Sequence, residues 1–162
     1  MVKAITQRQS VRKFLTAGLS EATVQKLIEA FQAAPCGMHQ MDVMQAVVVT
    51  DAQLCQQVED ATGDACYGAP LLFIILTKKG SEFGERDASV AAENVMIEAT
   101  DLGLGSVYVM GGAKKLNHYA GVLQSLKVPD GFQVTTIVPV GKAAEQPAAE
   151  DRGNRYQVQV IS

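Results

Sequence analysis

The chain has 162 residues, 48% apolar and 19% charged, with a formal net charge of -3. That length and balance suit one domain, residues 1–162, whose core needs neither disulfides nor a metal, and they exclude a disordered chain. The acidic balance and the absence of a basic stripe speak against nucleic acid as a partner, and no apolar run nears the roughly 20 residues that span a bilayer.

In chain order, residues 2–7 start a short helix that runs into the arginines at 8 and 12. Gly18 breaks the chain, and Ser20 reads as an N-cap with Glu21 in the first turn. Val24, Leu27, Ile28 and Phe31 keep helical spacing up to the stop before Pro35. Residues 36–43, CGMHQMDV, form a loop, and the β-branched run 45–50 a strand. A helix follows from Asp51 to near Ala61, then a loop over 64–68. Residues 70–77, PLLFIILT, are apolar without alternation, the mark of a strand buried on both faces.

The longest helix runs from Asp87 to near Leu102, with Ala88, Ala91, Ala92, Val95, Met96, Ala99 and Leu102 on one stripe and Gly103 in the left-handed stop position. Residues 105–110 read as a strand, Gly111-Gly112 as a turn, 116–126 as a helix and 129–131 as a turn. A strand spans 133–141, where Pro139 marks an edge or an end. Residues 143–150 are linker-like, and 156–161, YQVQVI, alternate as a half-exposed terminal strand would. Helices and strands mix throughout without an internal repeat, so the class is α/β or α+β.

Cys36, Cys55 and Cys66 are odd in number and widely spaced, without a CxxC pair. Free thiols in a reducing cytoplasm are the expectation, and a zinc site is not. Two histidines, His39 and His118, are too few for a hidden metal cluster. The opening MVKAITQRQ is too polar for a signal peptide.

One short stretch raises a sharper question. RQSVRKF, residues 8–14, crowds Arg8, Ser10 and Arg12 together. Cations near a helix C-terminus need no ligand. Two guanidinium groups and a hydroxyl can equally surround one phosphate. Seven residues leave both readings open.

Further motifs fall into an order around it: Ala34-Pro35 before a small-residue loop, Ala69-Pro70 opening the buried strand, Asp87 leading into AAENVMIEATDLGLGS (91–106), and VGK at 140–142. Together these resemble the FMN-dependent nitroreductase family, as a short member without the longer helical excursion many relatives carry after the GLGS strand. The resemblance implies an α+β fold with a mixed, mainly antiparallel sheet among helices. It implies an intertwined homodimer with two FMN sites at its interface. Hydride would come from NADH or NADPH and pass to nitroaromatic, quinone or flavin-like acceptors in a ping-pong cycle. A non-catalytic FMN-binding module and a cofactor-free structural protein are the alternatives.

Carried over by residue, the resemblance places Arg8 and Ser10 at the FMN phosphate, Gln9 between them among the cofactor-binding residues, and Arg12 near the pyrimidine edge of the ring. An arginine there stays charged and favours the reduced flavin. Arg152 and Arg155 are late basic residues that could complete the phosphate site. The loop of Pro35, Cys36, Gly37 and His39 would contact FMN from the other subunit. It departs from the family pattern, with Cys36 for a serine, His39 for an asparagine, Met41 for a glutamine and Asp42-Val43 for Pro-Trp, which leaves substrate choice open. Cys36 is either a reactive thiol beside the flavin or a small hydrophobe. Gly111 or Gly112 could offer a backbone N–H to the flavin N5 edge, or simply turn the chain. Glu93 and Asn94 take packing and dimer roles. No side chain stands out as a general acid, and none as a metal ligand.

Overall fold

Strand β2 (Leu71–Lys78) lies at the centre of the sheet because seven successive residues, Leu71 to Thr77, are buried. The computed structural model describes residues 2–148, 150–153 and 155–162. Four strands, β1 (Met44–Val49), β2, β3 (Gly105–Ser106) and β4 (Phe132–Gly141), line up in the order β1-β2-β4-β3. Every neighbouring pair is antiparallel. A parallel bridge from Ser10 to Ser106 adds the N-terminal segment outside β3, so the sheet is mixed and mainly antiparallel.

Alternation along β2 feeds two cores. Leu71, Phe73 and Ile75 pack with Leu27 and the alanine stripe of α4 (Gly84–Asp101), on the face that also carries α2 (Glu21–Gln32). Leu72, Ile74 and Leu76 face Val58, Ala113 and Leu116 from α3 (Ala52–Thr62) and α5 (Gly111–Leu116). Each of these β2 side chains is at most 1% exposed, and such burial contributes about 1.5–3 kcal/mol apiece. The fold is thus α+β, a sheet held between helical layers.

Local chemistry sets most boundaries as the pattern predicts. Ser20 Oγ accepts from Thr23 N at 3.2 Å and caps α2. Asp51 Oδ1 accepts from Leu54 N at 2.8 Å and caps α3. Gly103 adopts φ 71°, and Leu104 N reaches back to Ala99 O at 2.7 Å, closing α4. The start of α4 comes earlier than Asp87, at Gly84, whose otherwise free N–H donates to Ser81 Oγ at 3.1 Å.

Four expectations change. The strand expected over 105–110 is only Gly105–Ser106, with a single later bridge from Val109 to Ile137. Continuing the register of Ser106 with Val140 sets Val107 opposite Pro139, which has no N–H to bond it. Pro139 therefore sits inside a strand that is central by order and ends the pairing on one side of it. Gly111-Gly112 is not a free turn but the first turn of α5. The helix expected over 116–126 is shorter, α6 (Ala120–Ser125), and Leu116 belongs to the end of α5 instead. Asn117 causes the break: its amide donates to Ala113 O (3.1 Å) and Val134 O (2.7 Å) and accepts from Val134 N (2.9 Å), turning the chain onto β4. Residues 156–161 form no strand, and Tyr156, Val158, Val160 and Ile161 are each more than 80% exposed.

Candidate functional site

The arginine segment is extended, not helical. Helix α1 (Lys3–Gln7) ends as Arg8 turns to ψ 127°. Val11 N donates to Ser106 O (3.0 Å), Leu15 N to Lys142 O (2.9 Å) and Ala144 N to Lys13 O (2.9 Å). The segment thus runs along β3 and then along the chain leaving β4. Val11, 4% exposed, is its anchor. Gly105 makes that approach possible, since a Cβ there would lie 2.7 Å from Val11 Cγ2. In extended chain alternate residues share a side. The spacing of Arg8, Ser10 and Arg12 is therefore the period of a strand edge as well as that of a helix.

With Val11 buried, Ser10 and Arg12 open onto a cleft of about 360 Å³, lined also by Gln9, Ala148, Glu150 and Arg152. A second cavity of about 180 Å³ shares Ser10 and Arg12 and adds Lys13 and Glu145. The stretch that reads as a linker closes the cleft: Gln9 Nε2 donates to Ala148 O at 2.8 Å, and Lys13 pairs with Glu145. That pairing raises the Lys13 pKa and lowers that of Glu145. Glu150 accepts from Arg155 and stands 3.5 Å from Arg152 Nε. Among the described residues Arg12 makes no salt bridge. Arg8 is not among the residues lining the cleft; its Nε pairs with Glu93 Oε1 of α4 at 3.3 Å.

The Arg152 guanidinium, the Ser10 hydroxyl and the Gln9 amide around one opening are donors that fit the phosphate of FMN, and Arg12 brings a second cation to the same cleft. The cleft also falls in the size range of small-molecule sites, about 300–1,000 Å³.

The loop of Pro35, Cys36, Gly37 and His39 stands apart. The two cavities that border Ser10 and Arg12 take no residue from it. Pro35 and His39 are exposed and Cys36 is half-buried. The loop follows two short 3-10 turns, with Met38 at φ 52° and His39 at φ 57°, a conformation uncommon for side-chain-bearing residues. Asp87 holds it: both carboxylate oxygens accept the Gly37 N–H at 3.1 Å, and Asp87 is only 7% exposed. Phe83 walls its other side, since a Cβ on Gly37 would lie 2.5 Å from the ring. Asp87 and Glu93 are six residues apart, about 9 Å along α4, so one helix holds both segments. Asn94 donates to Ala30 O at 3.2 Å and joins α4 to α2, a packing role.

At the start of α5, Gly111 is exposed, with open space where a side chain would be. Gly112 is buried, and a Cβ there would meet Ala65 Cβ at 2.9 Å, so packing accounts for the second glycine.

A separate cavity of about 350 Å³ borders Cys55, Glu59 and Cys66, but its chemistry is closed. Glu59 accepts from Cys66 N (2.8 Å) and Gly68 N (3.0 Å) and so ties down the loop before β2. Burial pushes the Cys55 thiol up to about 11 and the Cys66 thiol up to about 12, keeping both protonated near neutrality. Among the described residues no three His, Cys, Asp or Glu side chains group to hold a metal, and no helix is long and apolar enough to cross a membrane. The sequence marks Asp87 only as the opening of a helix, and its hold on Gly37, 50 residues away, has no local signal; Glu59, which ties backbone N–H groups, carries no motif at all.

Known proteins share this fold. The family model described as the nitroreductase family matches residues 39–142. An FMN-dependent nitroreductase of Clostridium difficile superposes with a TM-score of 0.82 at 22% identity, covering 99% of this chain and 98% of that one. A Bacteroides fragilis nitroreductase solved with bound FMN gives 0.83 at 21% identity, over 99% and 97%. An NADPH-dependent oxidoreductase of Staphylococcus aureus is 27% identical over 92% of this chain and 65% of its own length. The matched span takes in β1 to β4 and the α4 helix that fixes both the arginine segment and the loop, and on that match the chain belongs to the nitroreductase family.

Proposed function

We propose that the protein is an FMN-dependent oxidoreductase that moves hydride from NADH or NADPH to nitroaromatic, quinone or flavin-like acceptors. The observation that carries this is the convergence of Ser10, Arg12 and Arg152 on one cleft, from opposite ends of the chain. Ser10, Gln9 and Arg152 bind the phosphate, with Arg8 and Arg155 as neighbouring cations. Arg12 holds a fixed positive charge at the pyrimidine edge of the ring, where negative charge develops on reduction. Gly111 leaves room for the ring edge at the start of α5. When bound, FMN supplies the two-electron chemistry, taking hydride from the nicotinamide and passing electrons to the acceptor in separate stages.

The working form is a homodimer. Each loop of Pro35, Cys36, Gly37 and His39 reaches the FMN of the other copy, which suits its separation from the arginine cleft within one chain. The bare apolar side chains of Tyr156, Val158, Val160 and Ile161 give a second copy something to cover. The test is an FMN titration followed by flavin fluorescence, with sedimentation to read mass. Stoichiometric quenching by a dimer is expected. A monomer that leaves added FMN fluorescent would overturn the reading.

A further inference from the structure

We infer that Glu150 is a built-in competitor for the phosphate site, a carboxylate that occupies the cationic cleft until a phosphate displaces it. This rests on the phosphate reading of the cleft given above. Glu150 Oε2 is the shared partner of two arginines, accepting from Arg155 and standing 3.5 Å from Arg152 Nε. The same residue lines the cleft beside Ser10 and Arg12. A carboxylate so placed uses the donors that a phosphate oxygen would use. Both cannot take those guanidinium edges together, because the two anions repel at such range.

Charge gives the direction of the exchange. Arg152 and Arg155 together carry a formal +2, which Glu150 cuts to +1 while it is paired and which a phosphate monoester dianion balances in full once Glu150 has left. Glu150 is 58% exposed, so releasing it to water is easy and its hold on the arginines is modest. It lowers affinity without blocking the site. The consequence is a cofactor held less tightly than its arginines alone would hold it. The opposite role, in which Glu150 orients the arginines for phosphate, predicts the opposite sign.

The experiment compares the full chain with its Glu150→Gln variant, using FMN, riboflavin and inorganic phosphate as probes. Glu29→Gln, an exposed acid on α2, controls for net charge. Glu150→Gln should tighten FMN by about threefold to tenfold, the range two part-exposed ion pairs cover. Inorganic phosphate should tighten likewise, while riboflavin binding and the Glu29→Gln control stay unchanged. Equal or weaker FMN binding by Glu150→Gln, or an equal gain for riboflavin, overturns the inference and leaves the FMN reading standing. If neither chain takes up FMN but Glu150→Gln still binds phosphate more tightly, the competitor role holds and the FMN reading falls. Failure of both chains to bind either probe overturns both.

Discussion

Replacing Asp87 by alanine should free the loop that carries Cys36 and His39. The carboxylate is 7% exposed and takes the Gly37 N–H through both oxygens at 3.1 Å. Losing a hydrogen bond to a charged acceptor costs about 1.5–3 kcal/mol. Asp87 also lies in the first turn of α4, where a negative charge contributes about 0.3–1 kcal/mol. Against these stands the strain at Met38 and His39, about 1–2 kcal/mol per residue in a left-handed conformation, which a freed loop releases. The loop should therefore open locally before the domain unfolds. Exchange of the Gly37 amide should speed up by roughly 10-fold to 100-fold, while amides of β2 change little. Asp87→Asn, which keeps an acceptor of the same shape, should fall between. Hydrogen exchange with residue resolution is the assay. Unchanged Gly37 exchange in Asp87→Ala would refute the clamp.

Other outcomes follow from the same geometry. Arg12→Ala should lower both FMN affinity, by about tenfold for a lost charge-assisted contact, and the reduction potential of the bound flavin; an unshifted potential would remove Arg12 from the ring. Glu59→Ala strands the Cys66 and Gly68 N–H groups and should lower stability by about 2–4 kcal/mol in urea melts; a loss under about 0.5 kcal/mol would contradict its role as a tie. A thiol reagent at neutral pH should modify Cys36 in the native protein and reach Cys55 and Cys66 only on unfolding, because burial holds those two thiols protonated. Their raised pKa values also set a pH window. The unfolded chain loses these protons first, near 9.0, so their contribution to stability is complete below that pH and declines as pH climbs towards about 11 and 12. A melting temperature that stays flat across that range in wild type would count against the burial of these thiols.

What was legible in the sequence was local. The unbroken apolar run of β2, the alanine stripe of α4, the caps Ser20 and Asp51 and the stop at Gly103 each act within a few residues. The short β3 was not legible, because it depends on a register that sets Val107 opposite Pro139 from another part of the chain. Asn117 likewise breaks a helix through a bond to Val134, 17 residues away. The arginine segment shows how one spacing admits two structures. Arg8 and Arg12 fit a helical turn, yet Val11 bonding to β3 makes the segment extended and leaves Ser10 and Arg12 at the cleft while Arg8 pairs with Glu93. Arg152 could be named from its late basic position, but its meeting with Ser10 and Arg12 is a tertiary fact.

One spectrum decides whether a flavin sits at the arginine cleft and is reduced by a nicotinamide. The protein loaded with FMN is titrated anaerobically with NADH and then NADPH while visible absorbance is followed. A yellow protein should bleach with at least one donor and regain colour when a quinone or nitroaromatic is added. A protein that binds FMN and stays yellow with both donors would contradict reduction by a nicotinamide.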